Sequence, residues 1–168
     1  MNKLDPDQNV LVLALADALR LRGWRLVTAE SCTGGLIAAA CTSVAGSSDW
    51  FEHGVVSYSN ASKTGLLGVP AELIARHGAV SEAVATAMAA GALQRSQAQR
   101  AVAVTGIAGP GGAMPGKPVG TVWLAVAGRD SLDAVFDVRA TLLQLAGDRA
   151  AVRDQTVTQA LQALIASL

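Results

Sequence analysis

A chain of 168 residues has the size of one domain and can bury a hydrophobic core without disulfide or metal support. Thirteen basic and thirteen acidic side chains give a formal net charge of zero, and no segment concentrates lysine or arginine, so the electrostatic signature of a nucleic-acid-binding protein is missing. Hydrophobic residues make up 51%, but no apolar run approaches the ~20 residues of a membrane helix, so we expect one domain, residues 1–168, that acts without nucleic acid or a membrane.

The chain begins with a predicted helix. Asp5 can cap it, Pro6 is tolerated at a first helical position, and Gly23 is typical of a helix end. Its apolar stretch VLVLALADAL contains an aspartate and follows no basic leader, which predicts a core helix and not a signal peptide. The two cysteines, Cys32 and Cys41, fit neither a disulfide framework nor a zinc site, so we expect a cytoplasmic protein.

A strand (WRLVTA), a helix (GGLIAAACTSV) and a second strand (GVVSYS) are predicted next. We expect Ser31 or Thr33 to open this helix, because both are preferred N-cap residue types, and Gly46 to close it. A polar turn, SSDWFEH, leads from the helix into the second strand. The order helix, strand, helix, strand is typical of an α/β protein.

The middle of the chain predicts helices before a third strand. From Asn60 the segment NASKTGLLGVPAELIARHG indicates short helices with breaks, and Ser81 can cap a longer helix with an apolar inner face. The run RAVAVTG is nearly all apolar, which predicts a buried strand, and the glycine-rich loop IAGPGG follows it.

The last third predicts two strands, VGTVWLAVAG and LDAVFDV, joined into a hairpin by a Gly-Arg-Asp turn. A final helix begins near GDRAAVRD and has an apolar stripe that includes Leu161 and Leu164. Helices that alternate with apolar strands, plus one hairpin, predict a single-domain three-layer α/β/α sandwich with a mixed, mainly parallel sheet.

Polar loops follow three of the predicted strands, at the sheet edge where α/β proteins gather ligands: TAESCTGG, SYSNASK and TGIAGPGG. In the first loop Ser31 could be a nucleophile at a helix N-terminus, with the N–H groups of Thr33 and Gly34 holding an oxyanion. From the pattern alone, capping is the favoured role of Ser31. Cys32 is a competing nucleophile, because a helix N-terminus lowers a thiol pKa, but we expect only one of these adjacent side chains to face the ligand.

A serine nucleophile needs a base. Lys63 is the candidate that we favour, since it follows the second strand and a desolvated lysine can act as a base near neutral pH; the alternative is an ordinary solvated lysine. The two histidines, His53 and His77, fit surface or helix-end positions better. Tyr58, the only tyrosine, could orient the base or the substrate, or simply pack.

The loop TGIAGPGG matches neither a dinucleotide fingerprint nor a P-loop, although its backbone N–H groups could bind an anion. Arg149 and Arg153, one helical turn apart, could add bidentate phosphate contacts. They could equally form a solvated face or pair with Asp148 and Asp154. The residues alone thus predict acyl transfer near an anion site and leave the substrate open.

Five blocks together resemble the CinA C-terminal domain family: TAESCTGG, GSSDWFEHGVVSYSNASK, LGVPAELIARHGAVSEAVA, AVAVTGIAGPGG with KPVGTVW, and GDRAAVR. The resemblance covers about residues 27–153 and implies a bacterial cytoplasmic amidohydrolase of pyridine-nucleotide recycling. Such an enzyme converts nicotinamide mononucleotide (NMN) into nicotinic acid mononucleotide and ammonia. The resemblance also implies an α/β/α fold, no obligatory metal or cofactor, and a homo-oligomer. Many relatives have a longer N-terminal domain, which we expect this chain to lack.

The same resemblance makes Ser31 the nucleophile and adds Lys63 and Tyr58 as catalytic residues. The predicted substrate-binding residues are Glu30, Thr33, Gly34, Ser48, Thr105, Gly106, Gly109, Arg149 and Arg153. Two other functions stay open at this point. One is a phosphate-ligand binding module without turnover, and the other is an amidase or esterase that acts on another substrate.

Overall fold

A five-stranded mixed sheet lies at the centre of the computed structural model, which describes residues 5–168. Its strands are β1 (Leu26–Glu30), β2 (Phe51–Val56), β3 (Arg100–Gly106), β4 (Thr121–Gly128) and β5 (Asp137–Gln144). Their order is β2-β1-β3-β4-β5; β1 is parallel to β2 and β3, and β4 is antiparallel to β3 and β5. Four of these strands therefore point the same way, as predicted. The first four residues of the predicted domain lie outside the described residues.

Helices cover both faces of this sheet. Within residues 5–168 they are α1 (Pro6–Arg22), α2 (Leu36–Thr42), α3 (Asn60–Leu67), α4 (Ala71–His77), α5 (Glu82–Gln94) and α6 (Arg149–Ala166). The first, second and last pack on one face, and the other three on the opposite face, which confirms the three-layer sandwich. In this part of the chain, no helix combines the length and hydropathy that a bilayer-spanning segment requires.

Strand β3 separates the two cores by its alternating side chains. Val102 and Val104 pack with α1 and α6, whereas Ala101 and Ala103 pack with α5. Small side chains on the second face let α5 lie close to the sheet. Helix α5 in turn touches α3 at Gly91, where a Cβ would overlap the carbonyl oxygen of Leu67.

Several predicted helix ends are confirmed. The carboxylate of Asp5 accepts a hydrogen bond from the N–H of Asp7, and Gly23 ends α1 with a positive φ of 64°. Ser81 caps α5 through a bond from the N–H of Val84, and Asp148 caps α6. These signals are local, so neighbouring residues suffice to specify them.

The predicted bounds of the second helix are wrong. Helix α2 begins at Leu36, with Gly35 (φ 100°) at the N-cap, and it ends at Thr42. Residues 31–35 form a turn that neither Ser31 nor Thr33 caps, because a buried carboxylate from β1 takes the N–H groups at the helix start. Gly46 instead precedes a short 3-10 turn.

Two predicted strands are displaced. Strand β2 begins at Phe51, inside the predicted polar turn, and ends at Val56. The hairpin of β4 and β5 exists, but its connection is residues 129–136, so the predicted strand LDAVFDV lies mostly in the loop. The buried Arg129 holds this loop by a hydrogen bond to the carbonyl of Leu132, a contact that the strand pattern does not reveal.

Candidate active site

A pocket of about 200 Å³ lies where the carboxyl ends of β1, β2 and β3 meet. Its lining consists of Ser31, Cys32, Tyr58, Lys63, Ala79, Val80, Thr105, Gly106, Ala108 and Arg149. The three predicted catalytic residues and three of the predicted substrate-binding residues are among them. The parallel strands thus bring together side chains from loops far apart in the sequence.

Ser31 and Lys63 form the polar centre of this pocket. A reciprocal capping box between Ser59 and Ser62 starts α3, and Lys63 follows it immediately. The Lys63 side chain is 1% exposed, and its Nζ donates to Ser31 Oγ at 3.0 Å and to the carbonyl oxygen of Ser57 at 2.7 Å. The predicted nucleophile and base are therefore in direct contact.

Burial of Lys63 affects its pKa. Removal of the ammonium group from water lowers the pKa of Lys63, because desolvation disfavours the charged form. Among the described residues, no carboxylate forms an ion pair with Lys63 Nζ, so none favours the charged form. Lys63 is thus not an ordinary solvated lysine, and its neutral amine is accessible at a lower pH than usual.

Cys32 also lines the pocket beside Ser31, and it is buried, with 6% of its surface exposed. Burial raises the pKa of the Cys32 thiol to about 11. No helix N-terminus compensates for this, because α2 starts only at Leu36. The thiol is protonated near neutral pH, which favours Ser31 as the nucleophile.

Glu30 anchors the turn that carries Ser31. Its carboxylate is 1% exposed and accepts five hydrogen bonds, at distances from 2.7 to 3.3 Å. The donors are the hydroxyls of Thr28 and Thr33 and the N–H groups of Gly35, Ile37 and Ala38. All these contacts lie within the protein, so Glu30 holds the turn in place, and its predicted contact with substrate stays a prediction.

The predicted oxyanion donors differ in availability. The N–H of Gly34 donates to the carbonyl of Ser31 at 3.1 Å, and it is therefore occupied. The N–H of Thr33 forms no backbone hydrogen bond within residues 5–168, and the Thr33 hydroxyl binds Glu30. Thr33 is nevertheless fully buried and is not among the residues that line the pocket, and its N–H contacts the Cys32 thiol.

Thr105 and Gly106 form the end of β3 inside the pocket. The Thr105 hydroxyl donates to the carbonyl of Ala79 at 2.8 Å, so it holds a pocket wall. A Cβ on Gly106 would lie 2.6 Å from the side chain of Val122 on β4, and only glycine fits this close approach.

Arg149 links the rim of the pocket to the glycine-rich loop. Its Nη1 donates to the carbonyl of Gly109 at 2.9 Å, and its Nη2 donates to the hydroxyl of Tyr58 at 3.0 Å. Tyr58 is 59% exposed, so it stands at the pocket opening rather than in the core. A neighbouring cavity of about 510 Å³ is lined by both Arg149 and Arg153.

Arg153 points to the catalytic turn. Its Nη2 donates to the carbonyl of Thr33 at 2.9 Å, and its Nε is buried without a hydrogen-bond partner among the described residues. The alternative of pairing with neighbouring aspartates is not realised in this part of the chain, since Asp148 caps α6 and Asp154 accepts from Gln8.

Ser48 does not reach the pocket within one chain. It is exposed in the turn Ser47–Asp49, before β2 begins, whereas the pocket lies beyond the end of that strand, roughly 20 Å away for six residues of strand. His53 lies on β2 beside Glu52, and His77 is the last residue of α4. Neither histidine lines the pocket, as predicted.

Sequence reasoning missed the walls of the pocket. Ala79, Val80 and Ala108 line it, and the carbonyl of Ser57 binds the lysine. Small apolar side chains and a main-chain carbonyl carry no chemical signature in a sequence. Within residues 5–168, no group of three or more His, Cys, Asp or Glu side chains is placed to hold a metal ion.

The chain is similar to known proteins along most of its length. Residues 8–168 match the family model of the CinA C-terminal domain. The chain is 53% identical over 155 residues to the nicotinamide-nucleotide amidohydrolase PncC of Pseudomonas putida. The aligned residues cover 92% of this chain and 93% of that protein. This chain superposes on the crystal structure of the competence/damage inducible protein CihA from Agrobacterium tumefaciens with a TM-score of 0.93 and 44% sequence identity. The match covers 99% of this chain and 98% of that chain.

Other relatives are much longer. A CinA-like protein of Mycolicibacterium gilvum is 58% identical over 147 residues, which are 88% of this chain but 34% of that protein. The chain thus spans about a third of the length of this relative and of two others like it.

Proposed function

This chain belongs to the CinA C-terminal domain family, and on that premise we propose that it hydrolyses the carboxamide of nicotinamide mononucleotide to nicotinic acid mononucleotide and ammonia. The amidohydrolase PncC relatives, which align along most of their length, support an enzyme that acts on an amide. The observation that carries the proposal is the buried contact of 3.0 Å between Ser31 Oγ and Lys63 Nζ in a pocket.

The proposed first half-reaction forms an acyl-enzyme. Ser31 Oγ attacks the carboxamide carbon while the neutral amine of Lys63 takes the hydroxyl proton. The tetrahedral intermediate then collapses as its C–N bond breaks, and Lys63 returns the proton to the leaving nitrogen, which departs as ammonia. Burial supports this role for Lys63, because it makes the neutral amine available.

Water completes the reaction by the reverse route. The water oxygen attacks the ester carbon while Lys63 takes a proton from the water. Lys63 then passes this proton to Ser31 Oγ as the ester bond breaks. The products are the carboxylic acid and the original serine. The oxyanion of both intermediates is assigned in this proposal to main-chain N–H groups of the turn that carries Ser31.

Recognition of the phosphate is assigned in this proposal to Arg149 and Arg153. Both line the cavity of about 510 Å³ beside the catalytic pocket, which also includes Gly147 and Pro110. Their guanidinium groups can form bidentate contacts with a phosphate. The carbonyl of Gly109 orients one of these arginines, because it accepts a hydrogen bond from Arg149.

The alternatives are less well supported. A binding module without turnover needs no buried base in contact with a hydroxyl, so the Ser31–Lys63 contact favours chemistry. An amidase or esterase for another substrate would use the same pair. The proposal also includes a homo-oligomer, which light scattering in solution would test, and a cytoplasmic location, which fits two buried free cysteines.

Ammonia release from a panel of amides tests the proposal. The panel contains nicotinamide mononucleotide, nicotinamide riboside, nicotinamide, glutamine and asparagine at equal concentrations. We expect turnover of the mononucleotide, with the riboside poor because it lacks the phosphate. Release of ammonia only from another amide would assign a different substrate, and binding without turnover over hours would indicate the binding module.

A further inference from the structure

One wall of the catalytic pocket is held mainly by hydrogen bonds from side chains. Residues 78–80, which we call the pocket wall, connect α4 to the N-cap of α5, and Ala79 and Val80 line the pocket. They belong to no strand or helix. The carbonyl of Ala79 is held from the sheet side by the hydroxyl of Thr105 at 2.8 Å.

A second side chain holds this wall from outside the pocket. The Nζ of Lys117 donates to the carbonyl of Val80 at 2.7 Å and to the carbonyl of His77 at 3.3 Å. His77 is the last residue of α4, so the ammonium group also lies at the negative end of that helix. Lys117 itself does not line the pocket.

Lys117 is the last residue of a hydrogen-bonded turn. Met114 and Lys117 exchange two backbone hydrogen bonds of 3.0 and 2.8 Å around Pro115 and Gly116. Gly116 has a φ of 75°, and proline followed by a glycine of positive φ is typical of a type II turn. The position of the lysine is therefore defined by its own loop and not only by the contact that it makes.

We infer that Lys117 is a positioning residue that keeps the pocket wall, residues 78–80, against the Ser31–Lys63 centre; this inference rests on the proposed function. The contacts of Thr105 and Lys117 hold three carbonyls of one short segment, those of His77, Ala79 and Val80. Removal of the ammonium group leaves two of these carbonyls to water and loosens the wall at Val80, while Thr105 and Ser81 still hold Ala79 and Gly78. The wall then contacts the bound amide less well, while the catalytic pair itself stays intact.

Steady-state kinetics of Lys117→Met give the first test. We expect KM for nicotinamide mononucleotide to rise about tenfold while kcat changes by less than about threefold, because binding is lost and the reacting groups are kept. Lys117→Arg should restore most of the KM, since a guanidinium group can still donate to both carbonyls. Arg139→Met is the matched control, because it removes one positive charge from a side chain that is 89% exposed on β5.

Thiol labelling tests the wall without any turnover. In a Cys41→Ala background Cys32 is the only cysteine, and it lines the same pocket with 6% of its surface exposed. A small neutral reagent, methyl methanethiosulfonate, should modify Cys32 about fivefold faster in Lys117→Met, because the reagent enters when the wall opens. Lys117→Arg and Arg139→Met should label at the rate of the background protein.

The outcomes separate the two claims. If KM stays within about twofold of wild type and Cys32 labels at an unchanged rate, the role of Lys117 is overturned. A fall in kcat at constant KM would also overturn it. If the wild type releases no ammonia but Lys117→Met still labels faster, the contact with the wall is supported and the proposed function fails.

Discussion

The two ends of the sheet bury cations in different ways. At the end where β3 begins, the guanidinium of Arg129 is 9% exposed and donates only to main-chain carbonyls, those of Leu93, Ser96, Ala98 and Leu132. At the opposite end, Lys63 has one carbonyl and one hydroxyl as partners, and it lies in a pocket. A cation whose donors all meet fixed carbonyls stabilises the fold, whereas Lys63, which contacts a hydroxyl in a pocket, is placed for the proton transfer that we propose.

Arg100 extends this contrast at the first end. It binds the carbonyls of Gln99, Arg129 and Ser167, and its guanidinium lies 4.2 Å from the ring centroid of Trp24. Burial lowers the pKa of Arg100, yet an arginine stays charged at neutral pH because its ordinary pKa is so high. Burial of a lysine has a chemical consequence that burial of an arginine lacks.

The largest effect is expected for the nucleophile. Ser31→Ala should reduce ammonia release about 10⁴-fold or more without unfolding the protein, because the acyl-enzyme cannot form. Cys32→Ala should retain most of the activity, since the buried thiol is protonated. Ammonia assays with circular dichroism as the folding control check both variants, and the opposite pattern would move the nucleophile to Cys32.

Loss of the base should have the next largest effect. Lys63→Met keeps the length of the side chain and removes the amine, so kcat should fall about 10³-fold. The melting temperature should stay equal or rise, because the variant no longer buries an ammonium group. A large loss of stability would place Lys63 with the structural cations such as Arg129.

The structural cation should behave in the reverse way. Arg129→Met removes a donor from four carbonyls, of which that of Leu93 keeps its bonds from Ser96, and we expect the free energy of unfolding to fall by about 3 kcal/mol. The kcat of the folded enzyme at 25 °C should stay within about twofold of wild type, because Arg129 lies at the other end of the sheet. Denaturant unfolding and initial rates measure the two quantities separately.

A cation at the pocket rim should affect binding more than chemistry. Arg149→Ala should raise KM for nicotinamide mononucleotide about tenfold with a smaller change in kcat, since a phosphate contact is lost. The variant should discriminate less between the mononucleotide and nicotinamide riboside. Equal turnover of the two substrates by the wild type would reject phosphate recognition.

The pH dependence of kcat/KM gives the most specific effect. Protonated Lys63 cannot accept a proton, so kcat/KM should fall about tenfold per unit below the lowered pKa of Lys63. The unfolded chain binds this proton more tightly, so the contribution to stability should increase with pH between the lowered pKa and the ordinary one. In Lys63→Met this pH-dependent gain in stability should vanish, which melting temperatures measured across the same pH range would check.

Much of the fold was predictable because its signals are local. Asp5, Pro6, Gly23 and Ser81 specify helix ends through bonds to close neighbours, and apolar runs predicted β1 and β3. The errors occurred where a distant group intervenes. The side chain of Arg129, for example, orders a loop that the pattern assigned to a strand.

The candidate site was predictable in part. Polar residues after the first two strands indicated Ser31 and Lys63, the family resemblance added Thr105, and the pocket contains all three. Glu30 has the same residue type as a ligand-binding acid, and only its five internal contacts distinguish it from one. Ser48 is placed at the other end of β2, a distance that a sequence block does not convey.

The sequence by itself determined which chemical groups are available: a serine and a lysine after neighbouring strands, glycines where the backbone needs space, and arginines at the start of the last helix. Only the tertiary structure decided what each group does. It removes the Lys63 amine from water, places it 3.0 Å from Ser31, and turns the carboxylate of Glu30 inward. The physical reason is that protonation and hydrogen bonding depend on burial and on partners, which packing brings together from distant parts of the chain.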